Sequence, residues 1–174
     1  RWSALCDTFA QWPGGDSLEI GVDYAEAHLE GWPDELRRAP RWLTNALVEA
    51  LNHPRTTAIP DTPLWRLMRT LPMTRYRLGN DAASVLAHWD QIPSLLDLDL
   101  SHNLLKADGV AVLLDTGRFN ALQHLRLRDN PLGRQGAQAL TRTLPKLRTL
   151  DLRQTRLIDA GLQALVRAPA RRSL

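Results

Sequence analysis

The 174-residue chain has a single cysteine, Cys6. No disulfide forms within it, which excludes a small disulfide-stapled scaffold and fits a reducing compartment, with a cytoplasmic location expected. Cys6 shares the spacing of one helical face with Trp2, Leu5, Phe9 and Trp12, where a small core residue is a plainer reading than a nucleophile. Lysine is almost missing. Lys106 and Lys146 are the two present, and neither follows a glycine-rich run, so a lysine-bearing phosphate loop is excluded. No apolar run approaches the roughly 18 residues of a membrane span, and no basic amphipathic helix suits a membrane surface. Glutamate is absent beyond Glu49. Residues 1–70 hold 7 Lys and Arg against 10 Asp and Glu, whereas residues 71–174 hold 15 against 9. The halves therefore expose surfaces of opposite sign, and the basic half favours acidic partners. A nucleic-acid binder would cluster its basic residues on one face. A solvated convex surface is the plainer reading here, and nucleic acid is not the expected partner.

Leucine is what the chain has in abundance, in one phrase written three times. The copies are Leu95-Leu-Asp-Leu98-Asp-Leu100-Ser-His-Asn103-Leu-Leu105, Leu122-Gln-His-Leu125-Arg-Leu127-Arg-Asp-Asn130-Pro-Leu132 and Leu147-Arg-Thr-Leu150-Asp-Leu152-Arg-Gln-Thr155-Arg-Leu157. Each is followed four residues later by a glycine, Gly109, Gly136 or Gly161, and the copies start 27 and then 25 residues apart. Repetition at such a period marks a solenoid, in which each unit buries its apolar face only against its neighbours.

The phrase resembles the leucine-rich repeat, and the glycine and repeat length resemble its ribonuclease-inhibitor type, with a bacterial source expected. The resemblance implies an α/β solenoid: a short curved parallel sheet with helices on the convex side. It also implies that Asn103 and Asn130 stack as a ladder at the turn, each bonding backbone groups that the turn leaves unpaired. Thr155 departs from that ladder. The glycines are expected to let each helix approach the sheet closely.

Before the three copies, Leu67-Met-Arg-Thr-Leu71-Pro72 lines up with Leu140-Thr-Arg-Thr-Leu144-Pro145, the helical arm of a later copy. On that alignment Met73 to Leu78 is the strand of a worn first repeat, Asp81 takes its asparagine place and Ala82 to Trp89 is its helix. The expected organisation is a helical N-terminal cap at 1–62, a degenerate repeat at 63–94, full repeats at 95–121, 122–146 and 147–171, and a short tail. Within the cap, helices are expected over Ser3–Trp12, from Asp23 to Gly31, over Pro33–Ala39, over Arg41–Asn52 and from Thr62, with a strand over Leu18–Val22. Five tryptophans, Trp2, Trp12, Trp32, Trp42 and Trp65, fall before the first strand, as a cap over an apolar repeat end requires.

Alternation along each strand points leucines inward and the residues between them onto the concave face. In register, Arg77, Asp99, Arg126 and Asp151 form a column of alternating sign, read as a structural column that pairs with itself. The less regular columns supply the candidate partner-binding residues: Asp97, Ser101, His102, His124, Arg128, Asp129, Thr149, Arg153 and Gln154. His102 and His124 lie in different columns of an open face, so no catalytic residue, metal site or cofactor is assigned. The chain reads as a non-enzymatic protein-interaction module that uses the concave face. The alternative is an assembly or regulatory segment of a larger protein, self-associating as a homodimer through an open C-terminal edge beyond Leu150 and Leu152.

Overall fold

The computed structural model describes residues 15–32, 37–55, 57–90, 94–140, 144–157 and 163. The expected Ser3–Trp12 helix, Cys6, and the arm carrying Gly161 lie outside them.

Helix α1 (Gly15–Ala27) opens the described chain, followed by a 3-10 turn at Leu29–Gly31. The strand expected over Leu18–Val22 is part of α1, and Asp23, expected to begin a helix, lies near the end of one. Residues alternating over five positions are too few to fix a strand. Over the full 13 residues, Val22 and Ala25 fall on one helical face, and both are buried. Helix α2 (Arg41–Asn52) has the expected apolar stripe, burying Leu43, Leu47, Ala50 and Leu51. Thr62 caps a 3-10 helix, Pro63–Leu67, its hydroxyl accepting from Leu64 N at 3.4 Å. Beneath it Trp65 is fully buried, donates from Nε1 to Pro60 O at 2.9 Å and stands edge-on to Trp89 at 4.8 Å. Trp32 and Trp42 pack half-buried against the same core.

The array is a four-stranded parallel sheet in sequential order: β1 (Thr70–Pro72), β2 (Asp97–Asp99), β3 (His124–Arg126) and β4 (Thr149–Asp151). Helices α3 (Asn80–His88), α4 (Ala107–Asp115) and α5 (Gly133–Leu140) return between the strands and pack side by side. This is the expected α/β solenoid. Leu71, Leu98, Leu125 and Leu150 stand in register, 27, 27 and 25 residues apart.

That register corrects the first repeat. Its strand is Thr70–Pro72, not Met73–Leu78. Met68, Leu71 and Met73 take the inward places of Leu95, Leu98 and Leu100, and all six are at most 2% exposed. Leu78 takes the place of Leu105 after the turn. The six-letter likeness between Leu67–Pro72 and Leu140–Pro145 is incidental. What the core demands is apolar volume, and methionine supplies it as leucine does. Pro72 is tolerated because Met73 N donates to Asp99 O at 2.8 Å while Thr70 O faces Ala39 N at 2.9 Å. The alternation between them turns the missing Pro72 donor away from β2.

Residues 37–39 close the free edge of β1 with backbone. Arg38 pairs with Thr70 as a parallel bridge, and Arg69 N donates to Arg37 O at 2.7 Å. Of the segment expected to be helical to Ala39, Arg37 is in a 3-10 turn, while Arg38 and Ala39 run against the sheet edge, which would otherwise present unpaired strand groups. At the other end Leu150 and Leu152 are only half-buried, whereas Leu98, Leu100, Leu125 and Leu127 are fully buried.

Candidate functional site

The turn after each strand shares one left-handed residue in all four copies. Arg75, His102, Asp129 and Gln154 occupy equivalent positions and all have φ between 53° and 66°. A non-glycine residue rarely adopts that left-handed conformation, so its recurrence marks a common turn. The edge column is therefore Arg75, His102, Asp129 and Gln154, with Arg75 at the start.

Inside the turn the asparagines form the expected ladder. Asn130 Oδ1 accepts from Asn103 N at 3.1 Å and Leu105 N at 2.9 Å, and its Nδ2 donates to Leu100 O and Leu127 O at 2.8 and 2.9 Å. Asn103 does the same one repeat earlier, accepting from Tyr76 N and Leu78 N and donating to Met73 O. Both side chains are fully buried. Tyr76 holds the asparagine place in the first repeat, and Asp81, expected there, lies in the first turn of α3. Thr155 holds the last place with one hydroxyl bond to Leu152 O at 2.6 Å. Gly109 and Gly136 serve a neighbouring contact rather than the sheet. A Cβ on Gly109 would fall 2.4 Å from Asn80 Oδ1 at the start of α3, and one on Gly136 would fall 2.4 Å from Leu132 Cβ.

The concave face carries charges paired differently from the sequence expectation. Arg77 is not in the charge column. It lies in the turn, exposed, at φ 57°, and Pro72 stands beside Asp99 in its stead. The rest of the column does not pair along itself. Arg126 reaches diagonally to Asp97 on β2, with two contacts of 2.6 and 3.2 Å. Asp99 turns back to accept from Ser101 N at 2.9 Å, and Asp151 accepts from Arg153 N at 3.1 Å in the same way. Side-chain length explains the difference. A short aspartate reaches its own turn's backbone two residues on, while a long guanidinium spans to the next strand.

The remaining candidates are engaged as well. Asp129 is a hub. Arg128 Nε donates to it at 3.0 Å, His102 Nε2 lies 3.4 Å away, and the Gln154 amide, oriented to satisfy both groups, donates at 2.6 Å. His124 Nδ1 lies 2.7 Å from Thr149 Oγ1. The two histidines therefore face different partners, and among the described residues no group of three His, Cys, Asp or Glu is placed to hold a metal. Arg153 binds Asp151 through Nε and Nη2 at 2.9 and 2.6 Å. Those bonds hold the Asp151 carboxyl below its ordinary pKa and raise that of the guanidinium. Thr149, Arg153 and Gln154 are exposed, and Asp97, His102, His124, Arg128 and Asp129 are half-buried. Ser101 is buried and leaves the set of candidate contacts.

Residues 91–114, 120–140 and 143–166 each match the family model of the leucine-rich repeat. These three segments are leucine-rich repeats. Each includes a strand of the sheet, the leucines that face inward from it and the turn just described. Leucine-rich repeats generally mediate protein–protein interaction, and they present a broad sheet on which to do so. Among the described residues, no helix is long and apolar enough to cross a membrane.

Proposed function

We propose that the protein is a non-enzymatic binding module that engages a protein partner through the concave face of its leucine-rich-repeat array, without a cofactor. The observation that carries the reading is the contiguous polar strip on β3, β4 and their turns. His124, Arg128, Thr149, Arg153 and Gln154 stand beside one another there, partly or fully exposed, and their hydrogen bonds run within the surface. Side chains already held in place lose less rotamer freedom when a partner binds. In this reading residues 1–62 form the cap, 63–94 the first repeat and 95–171 the repeats that follow. The spacings of 27, 27 and 25 residues, with a helix returning after each of β1, β2 and β3, support the ribonuclease-inhibitor type.

The test is capture of partners on immobilised protein, followed by mass spectrometry. The combined variant His124→Ala, Arg128→Ala, Arg153→Ala is expected to lose the captured partner while its circular-dichroism melt stays close to wild type. Undiminished capture by that variant would remove the concave face as the contact surface.

A further inference from the structure

On β3 and in the turns that follow β3 and β4, Arg126 pairs with Asp97, Arg128 with Asp129 and Arg153 with Asp151. At the opposite end of the face the balance fails. A cleft of about 390 Å³ opens between the start of α2 and the first repeat, and Arg38, Arg41, Pro72, Thr74 and Tyr76 are among the residues lining it. Among the described residues no carboxylate lines it. Both arginines are exposed, and among the described residues neither guanidinium has an ion-pair or hydrogen-bond partner. The first repeat explains why. Where the next repeat places Asp97 and Asp99 on the concave face, it places Thr70 and Pro72. One wall is fixed across the seam between cap and array, where Tyr76 OH donates to Asn45 Oδ1 at 2.8 Å.

Arg41 also occupies the first turn of α2, which has no acidic residue there. A cation at that end of a helix is disfavoured by the macrodipole. Local stability thus gives no reason for two unpaired guanidiniums at this place, whereas an incoming anion would meet both. Arginine is well suited to that task, since its planar donors match a carboxylate in pairs.

We infer that this cleft is an anion subsite that receives a carboxylate side chain from an acidic peptide segment of the partner. The inference rests on the reading of the concave face as a docking surface, and it adds the end from which an acidic chain enters.

The probe is an acetylated, fluorescein-labelled hexaglutamate peptide, followed by anisotropy and by amide chemical shifts. Wild-type protein is expected to bind it at low salt, with shifts centred on Arg38, Arg41 and Thr74. Arg38→Glu with Arg41→Glu is expected to weaken binding at least tenfold. Arg134→Glu with Arg148→Glu changes net charge equally at exposed sites elsewhere and is expected to retain it. No binding by wild type, equal loss in both pairs, or shifts centred on His124 and Arg153 would each overturn the subsite. Peptide binding by the His124, Arg128 and Arg153 alanine variant is expected to persist. Failure of the subsite therefore shows in the peptide measurement, and failure of the broader reading shows in partner capture.

Discussion

Asn103 N donates to Asn130 Oδ1 at 3.1 Å, so the backbone of one repeat is held by the side chain of the next. The bond is buried, and the same oxygen also serves Leu105 N while the amide nitrogen serves Leu100 O and Leu127 O. Asn130→Ala therefore strands several backbone groups at once. Each buried group left unpaired costs ~1–3 kcal/mol, so the variant is expected to lose at least about 3 kcal/mol in urea denaturation. Thr155→Ala removes one hydroxyl bond and is expected to cost about 1 kcal/mol. Equal losses at the two positions would show that the ladder does not extend through Asn130 as described.

The repeat was legible in the sequence wherever leucine was written as leucine. Leu98, Leu125 and Leu150 align by inspection, and the sheet register agrees with them. The asparagine ladder was legible for the same reason, because Asn103 and Asn130 recur with their leucines. The first repeat was not, since Met68 and Met73 carry the pattern and a chance match of letters drew the alignment five residues away. Identity of letters and identity of physical role are different things, and a buried methionine shows the gap.

Met73 makes the corrected register testable. It is fully buried beside Leu71 and stands where Leu100 and Leu127 stand in later repeats. Met73→Leu keeps volume and is expected to cost under about 1.5 kcal/mol. Met73→Ala leaves a cavity and is expected to cost roughly 2–5 kcal/mol. Thermal and urea unfolding both read the difference. An alanine variant as stable as wild type would mean that Met73 does not hold a core place.

The site was legible to a different depth. Its columns follow from the register, so which residues share the concave face could be read for β2, β3 and β4. Their pairing could not. Arg126 and Asp99 are direct neighbours across β2 and β3, yet Arg126 pairs with Asp97, and Asp99 turns to Ser101 N. That choice depends on side-chain reach and on donors offered by the turn, neither of which sequence order displays. The burial of Ser101 went unread because the turn carries it inward.

Asp151 and Arg153 give the face a pH signature. Hydrogen bonds from the Arg153 side chain are the largest cause holding the Asp151 carboxyl below its usual value of 3.8, with burial opposing them. A carboxylate whose pKa is depressed by folding contributes stability that is present above its unfolded pKa and lost as pH falls through the folded one. The contribution is therefore complete at neutral pH and fades below 3.8. Arg153 is exposed, so the effect on melting at neutral pH is small. The titration midpoint itself is the sharper reading. Carbon-detected NMR of Asp151 is expected to give a midpoint that rises toward the usual carboxylate value in Arg153→Ala. Below both midpoints, variant and wild type are expected to converge in stability as far as this pair is concerned. An unchanged Asp151 midpoint in the variant would show that the two side chains do not hold one another in solution, and Arg153 would then meet a partner without being oriented in advance.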